Sequence, residues 1–325
     1  MQIYDLMFIF ARRTRVLHLF AGSLIEKMED NIKCNSLKAW LLASRPKTLA
    51  GASVPLMVAL ASAWSDVGSA GFRWIPALLC VLFAFVMQID ANFINDYFDF
   101  ASGKDDEERL GPPRACAMGW IKPGAMKVGI AITTLLACAV GLPLVWFGGM
   151  AMIWVGVLCV VFCFLYTTLL ASRAMGDLLV LLFFGLVPVC VSYYLQTGFV
   201  SPMVAVDSVS CGLVIDTLLV VNNYRDIDND RCVGKCTLIV LIGKRSGQLL
   251  YLFLGVAACL LGIVHLFVGG TFAFVLPLLY LSLHVGAYRR MVKIDSGRQL
   301  NDVLSLTARN MFVYGLLIGA GLLIG

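Results

Sequence analysis

Charge is what this sequence has least of. Asp, Glu, Lys and Arg make up 14% of 325 residues, against 60% hydrophobic, and mean hydropathy is +0.88. Soluble domains carry about 25% charged residues, so a water-soluble globule is excluded and an integral membrane protein remains. The alternation of a membrane β-barrel, in strands of about ten residues, is also missing, which leaves an all-helical architecture. Histidine is confined to His18, His265 and His284, none near an acidic cluster. Eleven cysteines show no zinc-type spacing. Cys159 and Cys163 are a helical turn apart, but in an apolar run. They read as small membrane-helix residues in a reducing compartment. The net charge of +5 calls for no nucleic-acid surface, because an inside bias of basic residues and an anion site account for it.

What is abundant is apolar sequence in lengths that cross a bilayer. Nine candidate spans fall at 47–64, 76–97, 126–147, 150–170, 177–196, 204–224, 248–268, 271–288 and 306–324. With nine spans and the N-terminus inside, every Lys and Arg except Arg73 lies in a cytoplasmic segment or at its edge. The expectation is therefore N-in, C-out. Ahead of the spans, Leu6 to Ala11 precedes Arg12, Arg13 and Arg15, the reverse order of a secretory signal. Residues 1–37 are read as an extension, either an interfacial helix or a start-site artefact. Met28 opens a more ordinary N-terminus, and 38–325 forms one transmembrane domain.

Two spans end in carboxylates and amides. After the apolar run from Pro76 to Gln88, Asn92, Asp96 and Asp99 sit at i, i+4 and i+7, on one helical face. After Leu213 to Val221, Asn222, Asp226 and Asp230 repeat the device at i, i+4 and i+8. Each segment runs on into a Gly-Lys pair, Gly103-Lys104 and Gly234-Lys235. An ionised carboxylate at mid-bilayer costs roughly 2.5–3.5 kcal/mol on insertion scales. Two such groups about 4 Å apart repel by about 4 kcal/mol at an effective dielectric near 20. Clusters of this kind want a cation, and oxygen donors without Cys or His favour a hard one such as Mg²⁺. The repetition suggests two related halves facing each other. On the inside bias, both clusters face the cytoplasm, where soluble diphosphates and free Mg²⁺ are found.

Other polar residues carry two readings each. Arg45 and Lys47 flank Pro46 at a helix mouth, where they serve either an anion or plain positive-inside anchoring. The polar loop from Asp99 to Lys122 is long enough to be a functional cover, and its Lys104, Arg109 and Arg114 are placed to close over a diphosphate. Asp90 and Asp216 lie one to two turns inside their spans. They are candidates to hold a substrate hydroxyl or act as its base, or else structural hydrogen-bond acceptors between helices. Asp177, opening the fifth span, reads by default as a helix-start carboxylate. The last three spans read as scaffold, with Gly315, Gly319 and Gly321 for close packing.

The run Asn95-Asp96-Tyr97-Phe98-Asp99 with Gly103, and Asn222-Asn223-Tyr224-Arg225-Asp226 with Asp230, Gly234, Lys235 and Thr237, resemble the two Asp-rich signatures of the UbiA superfamily of intramembrane prenyltransferases. Arg45-Pro46-Lys47-Thr48-Leu49 and Tyr193-Tyr194-Leu195-Gln196-Thr197-Gly198 narrow the similarity to the 1,4-dihydroxy-2-naphthoate polyprenyltransferases of menaquinone synthesis. The resemblance covers roughly residues 38–325. It implies nine helices around a central cavity, and two Mg²⁺ ions. Asn92, Asn95, Asp96 and Asp99 would hold one ion, and Asn223, Asp226 and Asp230 the other. It implies diphosphate contacts from Arg45, Lys47, Lys104, Arg109, Arg114, Tyr166, Arg225 and Lys235, with Asp96, Asp99, Asp226 and Asp230 central to catalysis. Two departures stand out: the family's Gly-rich stretch after the tyrosine is here Thr167 to Ser172, and Asp90 and Asp216 are not part of the superfamily signature.

The implied reaction moves a polyprenyl group from its diphosphate to the naphthoate, releasing diphosphate and CO₂ and giving demethylmenaquinol. The implied partners are the two substrates and membrane lipid, with no nucleic acid and no obligate protein. The rivals are the same fold acting on 4-hydroxybenzoate, homogentisate or a haem vinyl group, and, in another class, a cation transporter with intramembrane acids.

Overall fold

A computed structural model describes residues 32–103 and 110–324, with the backbone but not the side chain of Lys47. The extension 1–37, apart from residues 32–37, therefore lies outside the described residues, as do Lys104 and Arg109. A short helix α1 (Leu37–Ala43) is started by Ser36, whose hydroxyl accepts the Ala39 N–H at 3.3 Å. The helices that follow are α2 (Leu49–Gly71), α3 (Trp74–Ala101), α4 (Pro123–Gly148), α5 (Ala151–Leu170), α6 (Gly176–Thr197), α7 (Pro202–Arg225), α8 (Ile227–Cys232), α9 (Leu238–Val268), α10 (Thr271–Ile294) and α11 (Leu300–Ile324). Nine of these, all but α1 and α8, are long and apolar enough to cross a membrane among the described residues.

The expected spans are all present, with shifted ends. The largest shift is at α9, which starts ten residues earlier than its apolar run, at Leu238. Thr237 caps it, accepting the Val240 N–H, and Gly243 at φ 81° takes a kink that separates residues 238–242 from the body of the helix. The polar segment after α7 is likewise no open loop, because α8 fills it. Pro123 and Pro202 sit at the first turns of α4 and α7, where a missing N–H costs nothing.

Helix α7 is the axis of the bundle, the most buried of the nine, and it packs against α6, α9, α11 and α2. Tyr193, Tyr280 and Tyr314 close with Val214 and Val58 into one core. Outward faces carry bare Trp146 and Phe267, each over four-fifths exposed, which is tenable only against lipid. The α6–α7 contact is glycine-made. A Cβ on Gly185 would lie 2.6 Å from the Ser208 carbonyl oxygen and 2.8 Å from Gly212 Cα, both rigid backbone. Gly185→Ala should therefore lower stability by about 1–3 kcal/mol through overpacking. Gly286→Ala, with nothing within 4 Å, should leave it unchanged or slightly raised. Thermal unfolding in detergent reads both.

Candidate active site

The polar ends of α3 and α7 meet over one cavity of about 530 Å³. Helix α3 presents Ala84, Gln88, Ala91, Asn95 and Asp99 to it, a stripe at helical spacing that turns from apolar to polar toward the mouth. Helix α7 presents Ile215, Leu219, Asn222 and Asp226 at the matching spacing, with Asn223 beside them. Phe83, Met87, Phe162, Phe183, Phe184 and Pro188 form an apolar wall. A π turn at Tyr166–Leu170 ends α5, and Tyr166 and Thr167 both line the cavity there. Thr167 donates to the Asn95 amide oxygen and so fixes that side chain.

Basic side chains hold the carboxylates of the mouth. The Arg114 guanidinium reaches Asp99 at 2.6 Å. Arg225 grips Asp226 with Nε at 2.8 Å and Nη2 at 2.6 Å, and also donates to Asn222 and Asn301. Lys235 sits 3.2 Å from one oxygen of Asp230, whose other oxygen is buried and has no hydrogen-bond partner among the described residues. Burial pushes the Asp230 carboxyl above the usual carboxylate range, and the Lys235 ammonium pulls it back. Arg45 lines the cavity from a left-handed backbone conformation, φ 49°, one that a residue ahead of proline seldom adopts.

Not every residue singled out by spacing reaches this cavity. Asp96 turns the other way, and its two oxygens accept the Ala115 and Cys116 N–H groups at 2.8 Å each. Asn92 likewise donates to the Ser44 carbonyl and the Thr48 hydroxyl, both at 2.9 Å, tying α3 to the Arg45 turn. The polar face of α3 is wider than the cavity, so half of it docks loops instead. Asp90 is fully buried and bracketed by Thr133 and Thr134 of α4. Asp216 is buried beside the cavity rather than lining it. Arg225 also stands behind the lining, acting through Asp226.

Two residues have a place at the site that the sequence reading did not give them. Asp177 stands in the first turn of α6, as its sequence position indicates, and it also lines the cavity, with neither carboxylate oxygen partnered among the described residues. Asn301, far along the chain, accepts from Arg225 and donates to the Leu110 carbonyl at 2.8 Å. Nothing in its sequence surroundings marks it.

Among the described residues, no three Asp, Glu, His or Cys side chains close into a ready-made metal cluster. The donor chemistry nonetheless suits magnesium. Asn95, Asp99, Asn223, Asp226 and Asp230 are all oxygen donors on one cavity wall or another, and Asp230 keeps an unpartnered oxygen.

Such a bundle, with a charged mouth over an apolar chamber, defines a multi-pass membrane protein with an enclosed amphiphilic cavity. The model of the UbiA prenyltransferase family matches residues 52–316. The 1,4-dihydroxy-2-naphthoate octaprenyltransferase of Escherichia coli (strain K12) is 35% identical over 261 residues, 74% of this chain and 82% of that protein. The Haemophilus influenzae protein of the same name is 32% identical over 303 residues, 87% of this chain and 97% of its own. Among solved structures, a UbiA homolog from Aeropyrum pernix K1 superposes at TM-score 0.63 and 15% identity, covering 85% of this chain and 97% of that one. Another, from Archaeoglobus fulgidus bound to DMAPP and Mg²⁺, gives 0.56 at 13% identity, with 86% and 98% covered. The chain belongs to the UbiA prenyltransferase family, and it is a membrane-embedded prenyltransferase.

Proposed function

We propose that this protein transfers a polyprenyl group from polyprenyl diphosphate to 1,4-dihydroxy-2-naphthoate, releasing diphosphate and CO₂ and forming demethylmenaquinol. The observation that carries the reading is the cavity itself, in which oxygen donors and Arg/Lys ring the mouth of an apolar, aromatic chamber. The naphthoate enzymes at 32–35% identity support the acceptor. Residues 38–325 form the single working domain. It sits in the cytoplasmic membrane, N-terminus inside, with the mouth on the cytoplasmic side, in keeping with the placement of every Lys and Arg but Arg73 on that face.

Asn95 and Asp99 on one side, and Asn223, Asp226 and Asp230 on the other, would hold two magnesium ions. Bound there, magnesium would offset the negative charge that builds on a departing diphosphate. Arg45, Arg114 and Lys235 face the same mouth and would take phosphate oxygens, so Arg114 and Lys235 would exchange a carboxylate for a phosphate when substrate arrives. Lys47, Lys104 and Arg109 are assigned the same task from sequence. Tyr166 offers its hydroxyl at the boundary between mouth and chamber. Phe162, Phe183 and Phe184 keep water away from the allylic carbon once its C–O bond loosens.

Purified protein given polyprenyl diphosphate, the naphthoate and Mg²⁺ should release pyrophosphate and CO₂ in equal amounts, and EDTA should stop both. Equal turnover with 4-hydroxybenzoate or homogentisate would overturn the acceptor. No pyrophosphate with any acceptor would overturn the enzyme reading.

A further inference from the structure

We infer that Asp177 is the residue that receives a ring hydroxyl of the aromatic acceptor, and that it takes that hydroxyl's proton as the new carbon–carbon bond forms. The inference rests on the prenyl-transfer reading above and supplies the half of the site which the diphosphate residues leave open.

Both carboxylate oxygens of Asp177 are shielded from solvent and without a hydrogen-bond partner among the described residues, yet the side chain lines the cavity. An unmatched buried carboxylate is costly, so the molecule that fills the cavity is expected to bring a donor. Asp216 of α7, 5% exposed, stands within electrostatic reach and also keeps one oxygen unpartnered. The Tyr166 hydroxyl closes the third side. It lies 4.0 Å from where a Cβ on Gly176 would be, and Leu219 lies 3.3 Å from the same point. Gly176 thus lets α6 approach α7 and brings Asp177 up to Tyr166.

The chemistry of the two substrates decides which one Asp177 meets. A polyprenyl diphosphate is hydrocarbon at one end and acceptor-only oxygens at the other, of the same charge as Asp177. It has no O–H or N–H to offer. The aromatic acceptor has ring hydroxyls, and an ionised carboxylate accepting from a phenol makes a strong, short hydrogen bond. Asp99, Asp226 and Asp230 each sit beside a basic group, Arg114, Arg225 and Lys235, whereas Asp177 makes no ion pair among the described residues.

In the step itself, the ring carbon that bears the carboxylate supplies the electron pair for the bond to the first carbon of the prenyl chain. The C–O pair of that carbon leaves with diphosphate. The adjacent ring hydroxyl passes its proton to Asp177 and becomes a ketone, which places the ring carboxylate β to a carbonyl. Loss of CO₂ then returns an electron pair to the ring, and the ring oxygen recovers the proton from Asp177. Atoms and charge balance with no further reactant, and Asp177 ends as it began.

The test uses the full-length protein in detergent, comparing wild type, Asp177→Asn and Asp177→Glu. With Asp177→Asn, the acceptor KM should rise about tenfold and kcat fall about 10²- to 10³-fold. The dissociation constant for polyprenyl diphosphate with Mg²⁺, measured without acceptor, should stay within about twofold. Asp177→Glu should recover part of kcat, because a carboxylate is restored, which a purely structural role would not produce. Wild type offered the acceptor with each ring hydroxyl methylated in turn should lose turnover with one of the two ethers. Wild-type kinetics in Asp177→Asn, a change confined to diphosphate or Mg²⁺ binding, or full turnover of both methyl ethers would overturn the assignment. If wild type itself released no pyrophosphate, the prenyl-transfer reading would fail instead. An active wild type with an indifferent Asp177→Asn sinks only this proposal.

Discussion

Asp99→Ala is expected to give a folded protein whose prenyl transfer falls by about 10³-fold or more, while Asp96→Ala, three positions earlier, gives one that has lost stability first. The two carboxylates belong to one short motif and differ in what their oxygens touch. Asp99 lines the cavity, and its one strong contact is the Arg114 guanidinium at 2.6 Å, a group that a phosphate would also attract. Removing a charge-stabilising group of this kind from a preorganised site costs about 10²- to 10³-fold, and a metal ligand at least as much. Asp96 is 1% exposed, and both its oxygens are taken by backbone N–H groups of Ala115 and Cys116. Its loss leaves two buried donors unmet, at about 1–3 kcal/mol each. Thermal unfolding in detergent, together with initial rates at saturating Mg²⁺, separates the two. Equal stability loss with no rate loss in Asp99→Ala would return the ligand role to Asp96. Asp96→Asn is the sharper comparison: it keeps one acceptor oxygen and should recover part of the stability.

The pair also shows how far the sequence could be read. Counting i, i+4 and i+7 put Asn92, Asp96 and Asp99 on one face, and they are on one face. The count could not say which edge of that face looks into the cavity, because the strap from Leu110 to Ile121 folds back over the other edge. Periodicity placed nine spans, since hydrocarbon length and backbone hydrogen bonding leave little freedom. It missed the first turns of α9, where the short apolar stretch 238–242 is cut off from the long apolar run by Gly243, Lys244 and Arg245 and is held by a Thr cap and a glycine kink. It placed Asp177 at the start of α6, where it is, because a carboxylate is favoured near a helix N-terminus. Only the third dimension shows that the same side chain also faces the cavity. Asn301, at the start of α11, reaches the Leu110 carbonyl 191 positions away, and no local rule reaches that far.

Arg225 is where the two halves of the mouth are tied together, and substituting it should show as coupling between them. Its side chain is 1% exposed and makes four hydrogen bonds: two to Asp226, one to Asn222 and one to Asn301. Asn301 passes the contact on to the Leu110 carbonyl, at the strap that carries Arg114 and docks on Asp96. Arg225→Ala leaves Asp226 without its cation in a poorly solvated place, and should destabilise by about 3–5 kcal/mol. Arg225→Lys keeps the charge but has no planar fork to hold two carboxylate oxygens, an amide and Asn301 at once. It should fold, and lose about 10- to 100-fold in kcat because Asp226 is no longer aimed at the cavity. Asn301→Ala alone should be milder, since it releases Leu110 and leaves the Asp226 clamp intact. The double variant Arg225→Lys with Asn301→Ala should fall short of the sum of the two by about 0.5–3 kcal/mol, as expected of residues sharing one network. Strict additivity would mean that the strap and the Asp226 end of α7 move independently, and the mouth would then have to be assembled by substrate rather than by this guanidinium.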